Sequence, residues 1–217
     1  MPLSLFPAAY LDFPEPFAGV DEAGRGCLAG PVAAAAVILP KGLEIPGLTD
    51  SKKLNSDVRA ALEPEIKARA LAWGIGLSRP REIERVNILQ ATLKAMQRAV
   101  KALKIAPDFL VIDGCHTLAL SIPQKAVIKA DLLIPAVSAA SILAKTFRDQ
   151  LLAKLDKRYP GYGLSRHKGY GTREHLEAIS RLGPSPVHRM TFKGVRRDGS
   201  AQGTPEELCL PGIGTRP

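Results

Sequence analysis

Two adjacent carboxylates, Asp21 and Glu22, close a short apolar run and are followed almost at once by Gly24-Arg25-Gly26. Carboxylates at the end of a rigid strand are hard oxygen donors, suited to a divalent cation. A glycine-flanked arginine lets backbone N–H groups and a guanidinium approach a phosphate or sugar closely. Metal ligands and a polyanion clamp so near each other point to metal-assisted chemistry on a nucleic acid.

Two further aspartates end apolar runs. Asp113 follows Phe109-Leu110-Val111-Ile112, and Asp131 follows Ala126-Val127-Ile128-Lys129-Ala130. An aspartate at a strand end is also an ordinary turn or cap residue. Three of them, with Glu22, make coincidence less attractive. Brought together they repel, and their pKa values rise unless divalent cations neutralise them. One or two Mg2+ ions suit such a set, with substrate phosphate and waters completing each shell. Neighbours on a regular strand point to opposite faces. For Asp21 and Glu22 to serve one site the strand must end or bulge there, which Ala23-Gly24 permits; otherwise Glu22 is a surface residue.

Three other clusters carry polar chemistry. In Asp50-Ser51-Lys52-Lys53-Leu54 a helix capped by Asp50 or Ser51 leaves Lys52 and Lys53 for phosphates, although the motif is also an ordinary surface turn. In Ser165-Arg166-His167-Lys168-Gly169-Tyr170-Gly171-Thr172 an aromatic sits between glycines among basic residues. Tyr170 is placed either to stack on an exposed sugar or base or to pack against a turn. Ser185, His188 and Arg189 in Gly183-Pro184-Ser185-Pro186-Val187-His188-Arg189 either contact phosphates or shape a loop. No histidine pair stands at zinc-ligand spacing. Cys27 has no evident base beside it, and Ser141 precedes Lys145 by four residues rather than the three of a Ser-x-x-Lys pair.

The elements that must position these residues can be read from periodicity. Strands are expected over 17–21, 32–39, 70–78, 108–113 and 125–131, the first two as an antiparallel pair. Helices are expected over 56–70, over 81–103 in two pieces, over 137–157 from near Pro135, and over 172–182 with Thr172 as N-cap. The pattern predicts an α/β domain, a mixed sheet flanked by helices, over 17–195, with flexible tails at 1–16 and 198–217. The 217 residues suffice for one domain with a substantial core, and with aromatics at 5% that core must be mostly Ala, Leu, Ile and Val. No apolar run is long enough for a membrane span, the N-terminus is a poor signal peptide, and three cysteines make no disulfide framework. A reduced cytoplasm is the expected location, and a monomer the expected state. The net charge of +9 is concentrated: residues 141–197 hold 13 Lys/Arg against 4 Asp/Glu, while the rest of the chain balances to zero. Such a stretch favours a polyanionic partner through counterion release.

Taken in order, these blocks resemble a known family. Gly19-Val20-Asp21-Glu22-Ala23-Gly24-Arg25-Gly26 followed by Leu28-Ala29-Gly30-Pro31 is similar to the signature of bacterial ribonuclease HII. Asp50-Ser51-Lys52-Lys53-Leu54, Ile112-Asp113-Gly114, Ala139-Ala140-Ser141-Ile142-Leu143-Ala144-Lys145, His167-Lys168-Gly169-Tyr170-Gly171-Thr172 and Gly183-Pro184-Ser185-Pro186-Val187-His188-Arg189 resemble further family blocks. The resemblance implies a ribonuclease H-like fold with a C-terminal helical extension. It implies an endonuclease that hydrolyses the RNA strand of RNA–DNA hybrids and nicks duplex DNA 5′ of embedded ribonucleotides, leaving 3′-hydroxyl and 5′-phosphate ends. Its cofactor would be Mg2+ or Mn2+ in a two-metal mechanism, held by Asp21, Glu22, Asp113 and Asp131. The resemblance assigns ribose sensing to Gly24, Arg25 and Gly26, and stacking on the following deoxyribose to Tyr170. Substrate contacts are expected from Ser51, Lys52, Lys53, Lys168, Ser185, His188 and Arg189. Cys27 stands where many family members have Pro, and altered loop rigidity is expected rather than lost activity.

Three other readings make different predictions. Ribonuclease HIII shares the carboxylates but has an extra N-terminal domain, for which the 16 residues before Phe17 leave no room, and it lacks this Gly-Arg-Gly. A structure-specific DNA nuclease of the same fold would need no 2′-hydroxyl. A non-catalytic hybrid-binding protein would bind without metal-dependent cleavage.

Overall fold

A computed structural model describes residues 13–48 and 54–196; Asp50, Ser51, Lys52, Lys53 and most of both expected tails lie outside the described residues. Five strands form one sheet: β1 (Phe17–Ala23), β2 (Val32–Ile38), β3 (Ala72–Ser78), β4 (Phe109–Asp113) and β5 (Gln124–Val127). Their spatial order is β3-β2-β1-β4-β5. β1 pairs antiparallel with β2 and parallel with β4, so the sheet is mixed and β1 is its centre. The helices are α1 (Ser56–Arg69), α2 (Pro80–Lys101), α3 (Pro135–Arg158), α4 (Leu164–His167) and α5 (Arg173–Leu182).

Small residues set the spacing of the layers. Every residue of β2 is buried, and the pleat sorts them: Val32, Ala34, Ala36 and Ile38 pack in the α2 layer, Ala35 and Val37 in the α1 and α3 layer. On β1 a Cβ at Gly19 would lie 2.3 Å from the Ala136 backbone, so the start of α3 rests directly on the strand. Gly74 and Gly76 do the same for α2, where added Cβ atoms would meet Ala99 O at 2.3 Å and Ala95 O at 2.0 Å. Asp21 shares the pleat face of Gly19, so it faces α3.

Local signals account for the helix ends. Asn55 caps α1, its side chain accepting from Asp57 N and Val58 N. Helix α2 comes in two pieces, as its pattern predicts, broken where Asn87 takes φ 67° and its side chain caps Gln90 N. Pro135 opens α3, and the Thr172 hydroxyl accepts from His175 N at the start of α5. The expected strand over 125–131 is corrected. It stops at Val127, because Lys129 turns left-handed at φ 59° and sends Ala130–Leu132 into a 3-10 turn. Beyond α3, α4 and α5 build a separate apolar cluster on Leu28, Ala29 and Leu152.

Gly19→Ala should force α3 away from β1. A loss of about 1–3 kcal/mol, the usual range for overpacking, is expected as a lower urea midpoint; an unchanged midpoint would contradict this packing.

Candidate active site

The carboxylates gather where two strands part. Parallel pairing of β1 with β4 ends at Val20 and Ile112, while pairing of β1 with β2 continues unbroken to Ala23. The last residues of β1 therefore have an uncovered edge, and a cavity of about 450 Å3 opens there. Asp21, Glu22 and Asp113 all line it. The expectation that the strand must end or bulge at Asp21 is thus corrected. The missing β4 neighbour lets both side chains reach one space without a break in register.

Three carboxylates meet here, Asp21 buried and Glu22 and Asp113 half-buried. Burial, then Glu22 and Asp113, push the Asp21 carboxyl well above its usual range, while Lys145 and Ser141 oppose the shift. Burial also raises Glu22, against the pull of Arg25, whose guanidinium stands 3.5 Å from it. Glu22 N donates to Asp21 Oδ1 at 2.7 Å, and Ala130 N to Asp113 Oδ1 at 2.7 Å. Asp131, fully buried in the 3-10 turn, is not among the residues lining the cavity. Among the described residues no three His, Cys, Asp or Glu side chains are already drawn into a metal-binding cluster. The donor set is nonetheless all oxygen and under mutual repulsion, which fits a hard divalent cation.

Beside the carboxylates the chain is inverted by two buried arginines. Arg189 donates from Nη2 to Gly24 O (2.6 Å), from Nη1 to Arg25 O (2.7 Å) and from Nε to Gly30 O (3.1 Å). Arg148 donates to Pro31 O, Lys168 O and Ala29 O at 2.9–3.0 Å. In a trans peptide the N–H points opposite to the C=O. With the carbonyls of Gly24 and Arg25 turned inward, the N–H groups of Arg25 and Gly26 point away from Arg189. Gly24, at φ +94°, has no room for a side chain, since a Cβ would lie 2.0 Å from Arg148 Nε. Gly26 is exposed, and a Cβ there would meet nothing within 4 Å. Tyr170, 52% exposed, and Lys168 line the same cavity. Cys27 is fully buried, its thiol close enough to Tyr170 for a hydrogen bond.

This geometry coincides with a family pattern. The ribonuclease HII family model matches residues 18–195. The chain belongs to the ribonuclease HII family. Its relatives include ribonuclease HII of Nitratidesulfovibrio vulgaris, 54% identical over 220 residues, covering 96% of this chain and 98% of that one. Ribonuclease HII of Pelobacter propionicus is 58% identical over 179 residues, 82% of each chain. The crystal structure of ribonuclease H2 from Pyrococcus horikoshii superposes with a TM-score of 0.69 at 27% identity, covering 82% of this chain and 94% of that one. Membership makes the chain an endoribonuclease of the ribonuclease H type, and its mixed sheet flanked by helices is the ribonuclease H-like fold.

Within the last ribonuclease HII block, Ser185, His188 and Arg189 are used differently from the expected phosphate contacts. All three are buried, and they hydrogen-bond to groups inside the protein. Ser185 N donates to His188 Nδ1 at 3.0 Å, which leaves the proton on Nε2. That nitrogen meets His175 Nε2 at 3.1 Å, and His175 Nδ1 then donates to Tyr170 O at 2.8 Å. Two neutral histidines thus tie the 185–189 loop to the backbone of Tyr170. Arg148, Arg59 and Asp149, which also line the cavity, escaped the sequence reading, and Lys145 entered it only as a rejected partner of Ser141. For Arg148 the available signal is a cation four residues from Ala144 and four from Leu152 on a buried helix stripe.

Burial holds the His188 imidazole down from its ordinary 6.5 to about 4, with His175 beside it adding to the shift. Between those values the unfolded chain binds a proton that the folded protein refuses, so stability falls as pH drops from about 6.5 to about 4. Denaturant midpoints across this range should show a shallower pH slope in His188→Asn than in the parent. Equal slopes would remove His188 from the buried pair.

Proposed function

We propose that this enzyme hydrolyses the RNA strand of RNA–DNA hybrids and nicks duplex DNA on the 5′ side of an embedded ribonucleotide. The observation that carries the reading is the shared cavity: repelling carboxylates, an inverted glycine-rich loop and a half-exposed tyrosine face one space. Asp21, Glu22 and Asp113 would hold divalent cations, Mg2+ or Mn2+, backed by Asp131, the fourth carboxylate of the family resemblance. Two such ions, when bound, supply an activated water and counter-charge for the leaving 3′ oxygen, giving 3′-hydroxyl and 5′-phosphate ends.

The chain's own residues supply selection. The outward N–H groups of Arg25 and Gly26 are suited to a 2′-hydroxyl, the group that separates ribose from deoxyribose. The open space at Gly26 lets a sugar come close to the backbone. Arg25 is tethered to Glu22, which keeps its guanidinium beside the reacting phosphate. Tyr170 stacks on the deoxyribose that follows the ribonucleotide, held by the histidine pair through its carbonyl. Lys168 meets the backbone without reading sequence. We take the working form to be a cytoplasmic monomer; among the described residues no helix is long and apolar enough to cross a membrane.

Duplex DNA with one ribonucleotide, offered with Mg2+ or Mn2+, should be nicked on the 5′ side of that residue, and all-DNA duplex should stay intact. Equal cutting of both would refute the reading. Tyr170→Ala should slow the single-ribonucleotide reaction about 5- to 150-fold, if stacking on the sugar is worth the ~1–3 kcal/mol of an aromatic stacked on a base. A continuous hybrid should suffer less, and equal losses would count against junction reading.

A further inference from the structure

A second concavity, of about 910 Å3, lies along the edge strand β3 and is lined by Arg79, Arg81, Arg85 and Arg98. Its one acid, Glu82, is fully engaged: Arg98 Nη1 and Nη2 bind its two oxygens at 2.6 and 2.7 Å. Arg79, Arg81 and Arg85 are exposed, and among the described residues none of them makes an ion pair. Arg81 and Arg85 lie one turn apart on the same face of α2, where like charges repel. Gathering uncompensated guanidinium groups on a concave surface costs stability unless an anion occupies it.

The sheet register sets the distance of this groove from the chemistry. Glu22 pairs with Ala34 on β2, and Ala34 pairs with Gly76 on β3, which lines the groove. Each strand step is about 4.8 Å, so the groove floor lies about 10 Å from the carboxylate-bearing backbone. Helix α3 separates the two spaces, with Lys145 and Arg148 lining the cavity and Phe147 the groove. That spacing is of the same order as nucleic-acid groove widths, about 6–12 Å, so one duplex is wide enough to lie over both spaces.

We propose that the arginine groove beside β3 binds the phosphate backbone of the uncut strand of the duplex whose other strand lies at the carboxylates. This rests on the nucleic-acid reading above and adds a contact to it. Arg81 and Arg85 reach successive phosphates, and Arg98, fixed by Glu82, shapes the wall. The contact carries no sequence information, since phosphates position the duplex and do not specify it.

The test is the double variant Arg81→Gln/Arg85→Gln in the full chain, with binding to ribonucleotide-containing duplex followed by anisotropy across a KCl series. Two lost phosphate contacts should flatten the slope of log K against log salt by about 2 and weaken binding roughly tenfold or more at moderate salt. Cleavage at saturating substrate should stay close to that of the parent while KM rises. Arg81→Lys/Arg85→Lys should restore the slope. Single methylphosphonate linkages scanned along the uncut strand should find a position that weakens the parent and leaves the glutamine variant unaffected. Unchanged affinity and slope would overturn the proposal, as would a variant that loses binding to polyglutamate but keeps its duplex binding. A parent that binds with the groove-dependent slope yet leaves the ribonucleotide uncut would sustain the groove and defeat the enzymatic reading.

Discussion

Asp21 lies buried in the central strand, and at its position the strand has already lost its neighbour on the β4 side. Its charge therefore meets those of Glu22 and Asp113 where burial already disfavours ionisation. Left alone, such a group would move apart or take up a proton. It cannot move apart, because β1 is pinned to β2 through Ala23 and to α3 through the contact that Gly19 permits, so the strain shows as a raised Asp21 pKa. The small residues of β1 and β2 bring helices onto both faces of the sheet, and that close packing makes the crowded corner rigid. A rigid corner of repelling oxygens has the chemistry that suits a divalent cation.

The second device is the inverted loop. Buried guanidiniums usually pair with carboxylates, but Arg148 and Arg189 are held by backbone carbonyls. By drawing in the carbonyls of Gly24 and Arg25, Arg189 turns the N–H groups of Arg25 and Gly26 outward, next to the carboxylates. Arg148 also holds the carbonyl of Lys168, two residues before Tyr170. The Gly24–Gly26 loop, the tyrosine and the carboxylate corner are thus joined through two side chains that themselves lie inside the protein. The histidine pair adds a third tie, and its neutrality makes that tie sensitive to acid.

Much of this was legible in the chain because strands that end in aspartate announce themselves by their apolar runs. Asp21 and Asp113 come together at one end of the sheet for that reason, and the division of α2 into two pieces was expected, although its place at Asn87 was not. What failed depended on local backbone choices or long-range partners. The run before Asp131 reads as strand, yet the left-handed turn at Lys129 ends it early. Ser185, His188 and Arg189 look like surface polar residues beside prolines, and only their distant partners show that they are interior. Charge counted by stretch placed the basic excess in residues 141–197. It missed the groove beside β3, because nearby acids in sequence cancel arginines that the fold gathers in space.

Whether the fold holds repelling carboxylates together for a cation is decided by the stability of Asp21→Asn with and without that cation. In metal-free solution the variant should melt above the parent, because a buried repelling charge is gone. Adding Mg2+ or Mn2+ should raise the parent, by about 2.7 kcal/mol at 100 times the dissociation constant, and raise the variant far less while its cleavage stays lost. A variant that is less stable without cation, and that gains as much from cation as the parent, would contradict the account.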